Sequence, residues 1–408
     1  MSIEIRPIQT AAEAEQHAFI SHYAFNGDRS DEAVARRARY YPLDWCLGAF
    51  DGPDIVAGLV IMPFDQYING AAIPLGGIAS VSCLPERRRG GFVKTLLVDA
   101  LAKMRNDGQP LSALYTPHYS LYRRYGWEIA GRIISYSFPP KVTKPRMAAP
   151  AGRWRRIGPD DWREIDAIYH AHHAGRNGGF VRNEQRWRLH VFSDYGKGER
   201  DAAVWSNSAG EARAYVVYHI TSRPSTTTPW PETTLRVVDW AALDGDAYAA
   251  MLAYLMGHDL VNQILMLASP DEPLADAIEE PVHIKEPPGA WFGTMLRLVD
   301  LQRAIEMRPA LPQASGKGVT VAVTDDSAPW NAGTWRIECS EGRIACEPTQ
   351  VAPEAQMDVR ALASIYNGFT KPADAVRVGT MRAAGPPAID ALANIFSVRF
   401  APYCPDDF

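Results

Sequence analysis

The sequence predicts an α/β chain, α+β in its last part, built as two similar blocks of strands and helices followed by a smaller α+β domain. Strand-like runs give way to helical spacing in the same order in two separate stretches. A Pro/Lys/Arg-rich connector divides those stretches, and the character of the chain changes again near residue 295. The length of 408 residues holds two to four domains at roughly 100 to 200 residues each. Hydrophobic residues at 47% and charged residues at 22% exclude a disordered chain, a coiled coil or a collagen.

In the first block, Thr10 and Glu13 have capping-box spacing ahead of a helix through AEAEQHAFISHYAF. The segments WCLGAF, IVAGLVIMPFDQYI and AAIPLGGIASVSCLP, separated by the turn residues DGPD and NG, read as antiparallel strands. The period then changes. In GGFVKTLLVDALAKMR, Phe92, Leu96, Leu97, Ala100, Leu101 and Met104 recur every three or four residues, as on one helix face. LSALY reads as a short buried strand, and PHYSLYRRY as a short helix with Thr116 as its cap, Pro117 at its first position and Gly126 at its end.

The connector FPPKVTKPRMAAPAGRWRR spans residues 138–156, so the first domain is expected over 1–150 and the second over 151–294. The second block repeats the order with strand AYVVYHI, polar hairpin STTTPWPETT, strand LRVVDWAAL, helix AYAAMLAYLMGH and strand QILMLAS. It lacks the glycine-arginine loop of the first block, so a diverged duplication is expected to keep the fold and lose the ligand site. The third domain, 295–408, runs from MLRLVD through strands VTVAVTD, TWRIECS and RIACEP to helices in VRALASIYNGF and PAIDALANIF. Its tail, SVRFAPYCPDDF, carries Phe400, Tyr403 and Phe408, aromatic residues that suggest docking rather than fraying.

Lys plus Arg total 42 against 47 Asp plus Glu, and this net charge of -5 gives no global field for nucleic acid or an anionic membrane. The N-terminus lacks a signal-peptide pattern and no apolar run approaches the roughly 18 to 20 residues that span a bilayer, so a cytoplasmic chain with no membrane partner is expected. Cys46, Cys83, Cys339, Cys346 and Cys404 form no C-x-x-C pair and read as free thiols, with a Cys339–Cys346 hairpin disulfide as the other reading. His170, His172 and His173 lack a completing carboxylate pattern, and no metal is expected.

The stretch IASVSCLPERRRGGFVKTLL carries the chemistry. A strand runs through Pro85 into three arginines and two glycines, then into an amphipathic helix. N–H groups from Arg88 to Val93 and the helix N-terminus favour an anion there, Arg87 to Arg89 supply cations, and Gly90 and Gly91 allow close approach of a phosphate. The other reading is a solvated basic turn. The Gly-x-x-x-x-Gly-Lys-Ser/Thr pattern of a nucleotide P-loop is absent.

This layout resembles the acetyl-CoA loop of the GNAT acetyltransferases: Cys83-Leu84-Pro85 is followed by Arg88-x-x-Gly91, with Cys83 in place of the usual Val and Val93 in place of the usual Gly or Ala. The resemblance implies acetyl-CoA as co-substrate, held by Val81, Ser82, Cys83, Arg88, Arg89, Gly90, Gly91, Phe92 and Val93. A backbone N–H of the Val81 to Cys83 strand would polarise the thioester carbonyl for direct attack by an amine, with no nucleophilic role for Cys83. It also assigns Tyr122, four residues before Gly126 in SLYRRYGW, as general acid at the departing sulfur, its pKa lowered by Arg123 or Arg124. Taken alone, Tyr122 reads as a core tyrosine. His118, one turn earlier, reads as a proton relay or a surface histidine.

Over nearly the whole chain, two such blocks, a third domain containing APWNAGTWRIE and the ending APYCPDDF resemble the Eis (enhanced intracellular survival) acetyltransferases. That resemblance implies a third domain of sterol-carrier-protein type and a catalytic role for the terminal carboxylate of Phe408, as base, proton relay or electrostatic anchor. Asp406 and Asp407 would deepen the negative potential, or form a solvated acidic tail. Phe25, Asp28, Asp31 and Glu32 are expected to line the acceptor pocket with Asp407, or to form a solvated acidic loop. The resemblance further implies a homo-oligomer, commonly a hexamer. The expected activity is acetyl-CoA-dependent N-acetylation of primary amines of cationic substrates such as aminoglycosides, polyamines or lysine side chains. A different acyl donor or a silent CoA-binding protein are the alternatives.

Overall fold

The computed structural model describes residues 4–193, 198, 200–226, 229–286 and 291–408; Thr227 and Thr228, in the expected polar hairpin, lie outside the described residues. The chain divides into two compact units. One comprises Met1–Ala130, Thr294–Val398 and Asp407–Phe408, the other Gly131–Gly293 and Arg399–Asp406.

The first unit opens with β1 (Glu4–Pro7), α1 (Ala11–Ala24), α2 (Asp31–Tyr40), β2 (Cys46–Asp51), β3 (Asp54–Ile68), β4 (Ala71–Cys83), α3 (Phe92–Asn106), β5 (Leu111–Leu114), α4 (Tyr119–Arg123) and β6 (Glu128–Ile129). Thr10 caps α1 by accepting the Glu13 N–H at 3.2 Å. Glu13 reaches back to the Gln9 N–H at 2.7 Å and is clamped by Arg6, which holds its carboxyl down to about 2. The turn between β3 and β4 has φ of +46 at Asn69 and +95 at Gly70, both positive as a type I′ hairpin requires. Helix α3 buries Leu96, Leu97, Ala100, Leu101 and Met104, the expected face. Helix α4 starts at Tyr119 rather than Pro117, because Thr116 spends its hydroxyl on the His118 N–H at 2.8 Å in a local turn and His118 is not helical.

The second unit contains β7 (Arg132–Phe138), β8 (Gly152–Ile157), α5 (Trp162–His173), α6 (Glu184–Arg186), β9 (Asp201–Asn207), β10 (Ala212–Arg223), β11 (Glu232–Ala242), α7 (Gly245–Met256), β12 (Gln263–Ala268) and β13 (Trp291–Phe292). Its sheet has the order β13-β7-β12-β11-β10-β9-β8. The chain then returns to the first unit through β14 (Met295–Leu298), α8 (Leu301–Met307), β15 (Gly318–Thr324), β16 (Gly333–Ser340), β17 (Arg343–Pro348), β18 (Ala355–Asp358), α9 (Val359–Tyr366), α10 (Pro372–Arg377), β19 (Met381–Ala383) and α11 (Pro386–Ile395). Strands β17-β16-β15-β18-β19 form a separate sheet. Cys339 and Cys346 lie opposite Ile344 and Ile337 on this hairpin and, like Cys46, Cys83 and Cys404, are free thiols.

Sheet membership does not follow the three sequence blocks with their boundaries near 150 and 294. The first sheet runs β1-β2-β3-β4-β5-β14-β6, so β14, which follows the second block, takes the place beside β5. β7, which precedes the connector, pairs with β12 in the second sheet. With β14 seated there, the chain leaves the first sheet after the two residues of β6. Arg297 of β14 is fully buried and paired with Asp325 at 2.7 and 2.6 Å. Asp325 also accepts from the Asn331 amide at 3.0 Å and the Ala328 N–H at 3.0 Å, which joins β14 to the loop after β15. Among the described residues no helix is long and apolar enough to cross a membrane.

A buried guanidinium left without its carboxylate is costly, about 3 to 5 kcal/mol. Asp325→Ala is therefore expected to lower the thermal unfolding midpoint sharply, whereas exchange of an exposed acid such as Glu341 is expected to leave it within error; differential scanning calorimetry reads the contrast.

Candidate active site

The site begins where two strands part. β4 pairs with β5 in parallel only at Leu75↔Leu111, Gly76↔Ser112 and Gly77↔Ala113. On its other edge β4 stays paired with β3 as far as Cys83. Beyond Gly77 one edge of β4 is therefore open. The Leu84 N–H donates to Val56 O at 2.9 Å, and because successive N–H groups of a strand point to opposite edges, those of Val81 and Cys83 face the gap. The β3–β4 register passes from Val60↔Ala79 to Gly58↔Ser82, so one residue more lies on β4 than on β3, a bulge. Ser80 in that bulge has φ of +53.

Gly91, with φ of +84, is the N-cap of α3 and offers no side-chain cap. The first N–H groups of a helix have no intrahelical partner, so those of Phe92 and Val93 are available to an anion. Arg88, Arg89, Gly90 and Gly91 are exposed, and Phe92 and Val93 are half-buried against the core under α3. Among the described residues no ion pair of Arg88 or Arg89 is formed. Arg87 is a correction to the expected cation cluster: its guanidinium is bonded to Asp51 and lies over the Phe92 ring at 5.7 Å. Gly90 serves a different need from the expected one, since a Cβ there would come within 2.5 Å of the Phe92 ring, whereas a Cβ on Gly91 would meet nothing within 4 Å.

Tyr122 is buried in the core under α3, beside Trp127 with ring centroids 6.3 Å apart, and Val81, Cys83, Phe92 and Val93 pack against the same cluster. Burial raises its phenol to about 12. The expected lowering by arginine is overturned, because Arg123 is committed to Glu128 at 2.9 and 2.6 Å. Phe408 packs on the opposite side of the sheet, with the cluster formed by α1, α2, Ala79 and Phe64. Its ring lies 5.2 Å from that of Phe64 and 5.5 Å from that of Tyr115, which follows β5. The gap between β4 and β5 is thus flanked by Tyr122 on the α3 face and by Phe408 on the α1/α2 face.

Phe25 ends α1 and is 62% exposed. Asp28 turns its carboxylate onto the Ser30 N–H at 2.9 Å and hydroxyl at 3.1 Å, a local turn ahead of α2. Glu32 lies 3.9 Å from Arg36, and Asp31 is exposed. Neither Phe25 nor Asp28 is among the residues packed with Tyr122 or Phe408. Asp407 is exposed, and so is His118 at the start of α4. Asp406 is the clear departure from an acidic tail in solvent. Within the second unit it is buried and accepts from Arg182 at 2.9 Å, Arg186 at 3.1 Å and the Tyr169 hydroxyl at 3.1 Å. Burial alone would raise its carboxyl, but the two guanidinium groups outweigh it and hold the group below the usual range. His172 bonds Ala242 O at 3.0 Å and His173 is buried, and among the described residues no group of His, Cys, Asp and Glu could hold a metal ion.

The second unit repeats the parting strands. β11 pairs with β12 from Thr234↔Gln263 to Val237↔Met266 and then runs on to Ala242, with an extra residue at Val238. Side chains of the chain itself gather there. Arg182 bridges Asp239, at 2.5 and 3.2 Å, to Asp406, and the Trp240 indole closes onto Leu267 O at 3.0 Å.

Gly77, Phe64 and Tyr115 were not among the expected site residues. A Cβ on Gly77 would come within 2.7 Å of Phe64 and 2.9 Å of Phe408. The signal was available, because adjacent glycines inside a strand, here Gly76-Gly77, mark close approach of another group.

With this geometry in view, relatives can be compared. Residues 4–130 match a model of the acetyltransferase (GNAT) domain, residues 178–298 a second acetyltransferase (GNAT) domain model, and residues 301–405 a sterol carrier protein domain. The chain is 25% identical to an uncharacterized N-acetyltransferase of Streptomyces griseus over the full length of both. It is 24% identical to the N-acetyltransferase Eis of Mycobacterium tuberculosis, over 83% of this chain and 80% of that one. The crystal structure of Eis1 from Mycobacterium abscessus superposes with a TM-score of 0.83 at 26% identity over the whole of both chains. Parted strands, a bulged β4 and these matches define an acetyltransferase of the GNAT class. Within that class the chain has two GNAT domains followed by a sterol-carrier-protein domain, and it is similar over most of its length to the N-acetyltransferase Eis.

A carboxyl held low in the folded state stabilises that state above its unfolded value, about 3.9 for Asp, and this stabilisation is lost as pH falls through the folded value. Asp406→Asn is therefore expected to melt well below the parent at pH 7, with the difference shrinking once the pH drops below about 3.9. Thermal melts across pH check it.

Proposed function

We propose that the chain transfers the acetyl group of acetyl-CoA to the primary amine of a cationic substrate, such as an aminoglycoside, a polyamine or a lysine side chain. The observation that carries this reading is the gap beside β4, with Tyr122 packed on the α3 face and Phe408 on the α1/α2 face. The co-substrate enters from the α3 face, where the uncapped N-terminus at Gly91 with Arg88 and Arg89 suits its pyrophosphate. The amine enters from the other face. Opposite entry favours direct transfer: the amine nitrogen bonds to the acetyl carbon, the C–S bond breaks, and the N–H groups of Val81 and Cys83 stabilise charge developing on the carbonyl oxygen.

Cys83 takes no covalent part, and burial raises its thiol, which keeps it protonated. Tyr122 also stays protonated. With its phenol at about 12, against about 8.5 for a free thiol, it supports the departing thiolate as a hydrogen-bond donor rather than by giving up its proton. The terminal carboxylate of Phe408 attracts the ammonium group. A carboxyl near 3.5 is a weak base toward an amine near 10.4, so it passes the amine proton on through water.

The test is release of free thiol from acetyl-CoA with a panel of polyamines, aminoglycosides and lysine peptides. Turnover is expected with the native C-terminus and its loss on extension past Phe408, with acetyl-CoA binding unchanged. Turnover indifferent to the extension removes Phe408 from the reaction, and no turnover with any amine overturns the function. Tyr122→Phe is expected to lower kcat about 10²-fold at unchanged acetyl-CoA affinity.

A further inference from the structure

The bulge in β4 decides which face each of its residues serves. Before it, Ile78 packs in the cluster under α3 and Ala79 in the cluster under α1 and α2. After it, the odd-numbered Val81 and Cys83 pack under α3. One extra residue has inverted the alternation, since the side-chain period of a strand is two. Without the bulge, the N–H groups facing the gap would be those of Ser82 and Leu84. The reading of Val81 and Cys83 as the donors at the thioester therefore depends on Ser80 staying where it is.

Ser80 has no intrinsic reason to stay. Its φ of +53 is left-handed backbone that an L side chain seldom adopts unless its surroundings fix it. Two side chains do so. His17 of α1 is buried, with Nε2 3.3 Å from Ser80 O. Arg37 of α2 donates from Nη2 to Ser80 Oγ at 2.7 Å. The His17 ring occupies the space that Gly58 leaves, where a Cβ would come within 2.5 Å of it. Gly58 pairs with Ser82, so the ring lies across the strand pair at the bulge. Burial and the Arg37 charge hold the imidazole down to about 4, so it is neutral at pH 7 and can donate one N–H to the Ser80 carbonyl.

We propose that His17 and Arg37 are positioning residues for acetyl transfer: together they lock Ser80 in the left-handed bulge and thereby turn the Val81 and Cys83 N–H groups onto the reacting carbonyl. This rests on the acetyl-transfer reading above. His17 and Arg37 lie on α1 and α2 and not on the turn at Arg88 to Val93 proposed for the phosphates, so the clamp is expected to act on the reaction and not on CoA capture. His22, another histidine of α1, has no such role, because it lies beside Gly27 in the loop after the helix.

The experiment compares His17→Ala, His17→Gln and the double variant His17→Ala/Ser80→Gly in thiol release, CoA titration calorimetry and amide hydrogen exchange of segment 78–84. His17→Ala is expected to lower kcat about 10²-fold, the scale of a lost oxyanion donor, to leave CoA affinity within about twofold, and to speed exchange in the segment. His17→Gln, which restores a donor, and the double variant, in which glycine adopts the left-handed conformation unaided, are expected to recover most of the kcat and the slow exchange. Unchanged kcat in His17→Ala, or a double variant as poor as the single one, overturns the proposal. Absence of turnover in the parent protein overturns the function instead; the clamp is then decided by exchange alone, and unchanged exchange in His17→Ala overturns it.

Discussion

β4 and β5 are joined at only three residue pairs before they part, and the rest of the site follows from that limit. A strand edge with no neighbour leaves peptide groups that must find partners elsewhere. Here the pairing ends at Gly77, the chain after β5 turns away through Tyr115, and the open edge presents the N–H groups of Val81 and Cys83. Ser112 on β5 marks the end of the joined part, its hydroxyl bonding Gly76 O at 2.7 Å while accepting from the Trp127 indole at 3.3 Å. Trp127 in turn packs beside Tyr122, so the residue at the gap is seated by the same core that closes the sheet below it.

The duplicated architecture puts the same constraint to two uses. Both units have a parallel strand pair that separates, and both have an extra residue where it does so. In the first unit the strand leads into a glycine-arginine turn and an uncapped helix. In the second it leads to Asp239, a buried carboxylate that holds Arg182. Buried ion pairs of this kind are fixed by geometry more than they stabilise, and the pairing of Arg182 with Asp406 fixes the tail segment in that unit. Likewise Arg297 with Asp325 ties β14 to the third domain inside the first unit.

Local patterns were legible in the sequence and long-range ones were not. The capping residues Thr10 and Glu13, the Asn69-Gly70 turn, the buried face of α3 and the hairpins of the third domain follow from spacing and turn chemistry, which act over a few residues. The loop at Arg88 to Val93 was legible because strand, glycines and helix lie in series. The exchange of β7 and β14 was not, because nothing local in Arg132–Phe138 or Met295–Leu298 says which of two sheets it joins. The same limit applies to charged residues. Arg87 reads as a cation of the anion turn and Asp406 as part of an acidic tail until Asp51 and Arg182 are brought to them from 36 and 224 residues away. The left-handed Ser80 has no signature at all, being an ordinary residue held by partners on two helices.

The most direct measurement is a crystal structure of the full chain with acetyl-CoA bound. The geometry predicts the pyrophosphate within hydrogen-bond distance of the N–H groups at Phe92 and Val93, the thioester carbonyl on the N–H of Val81 or Cys83, and the sulfur beside the Tyr122 hydroxyl. Acetyl-CoA bound at the parting of β11 and β12, or in the first unit with its phosphates away from the start of α3, would contradict it.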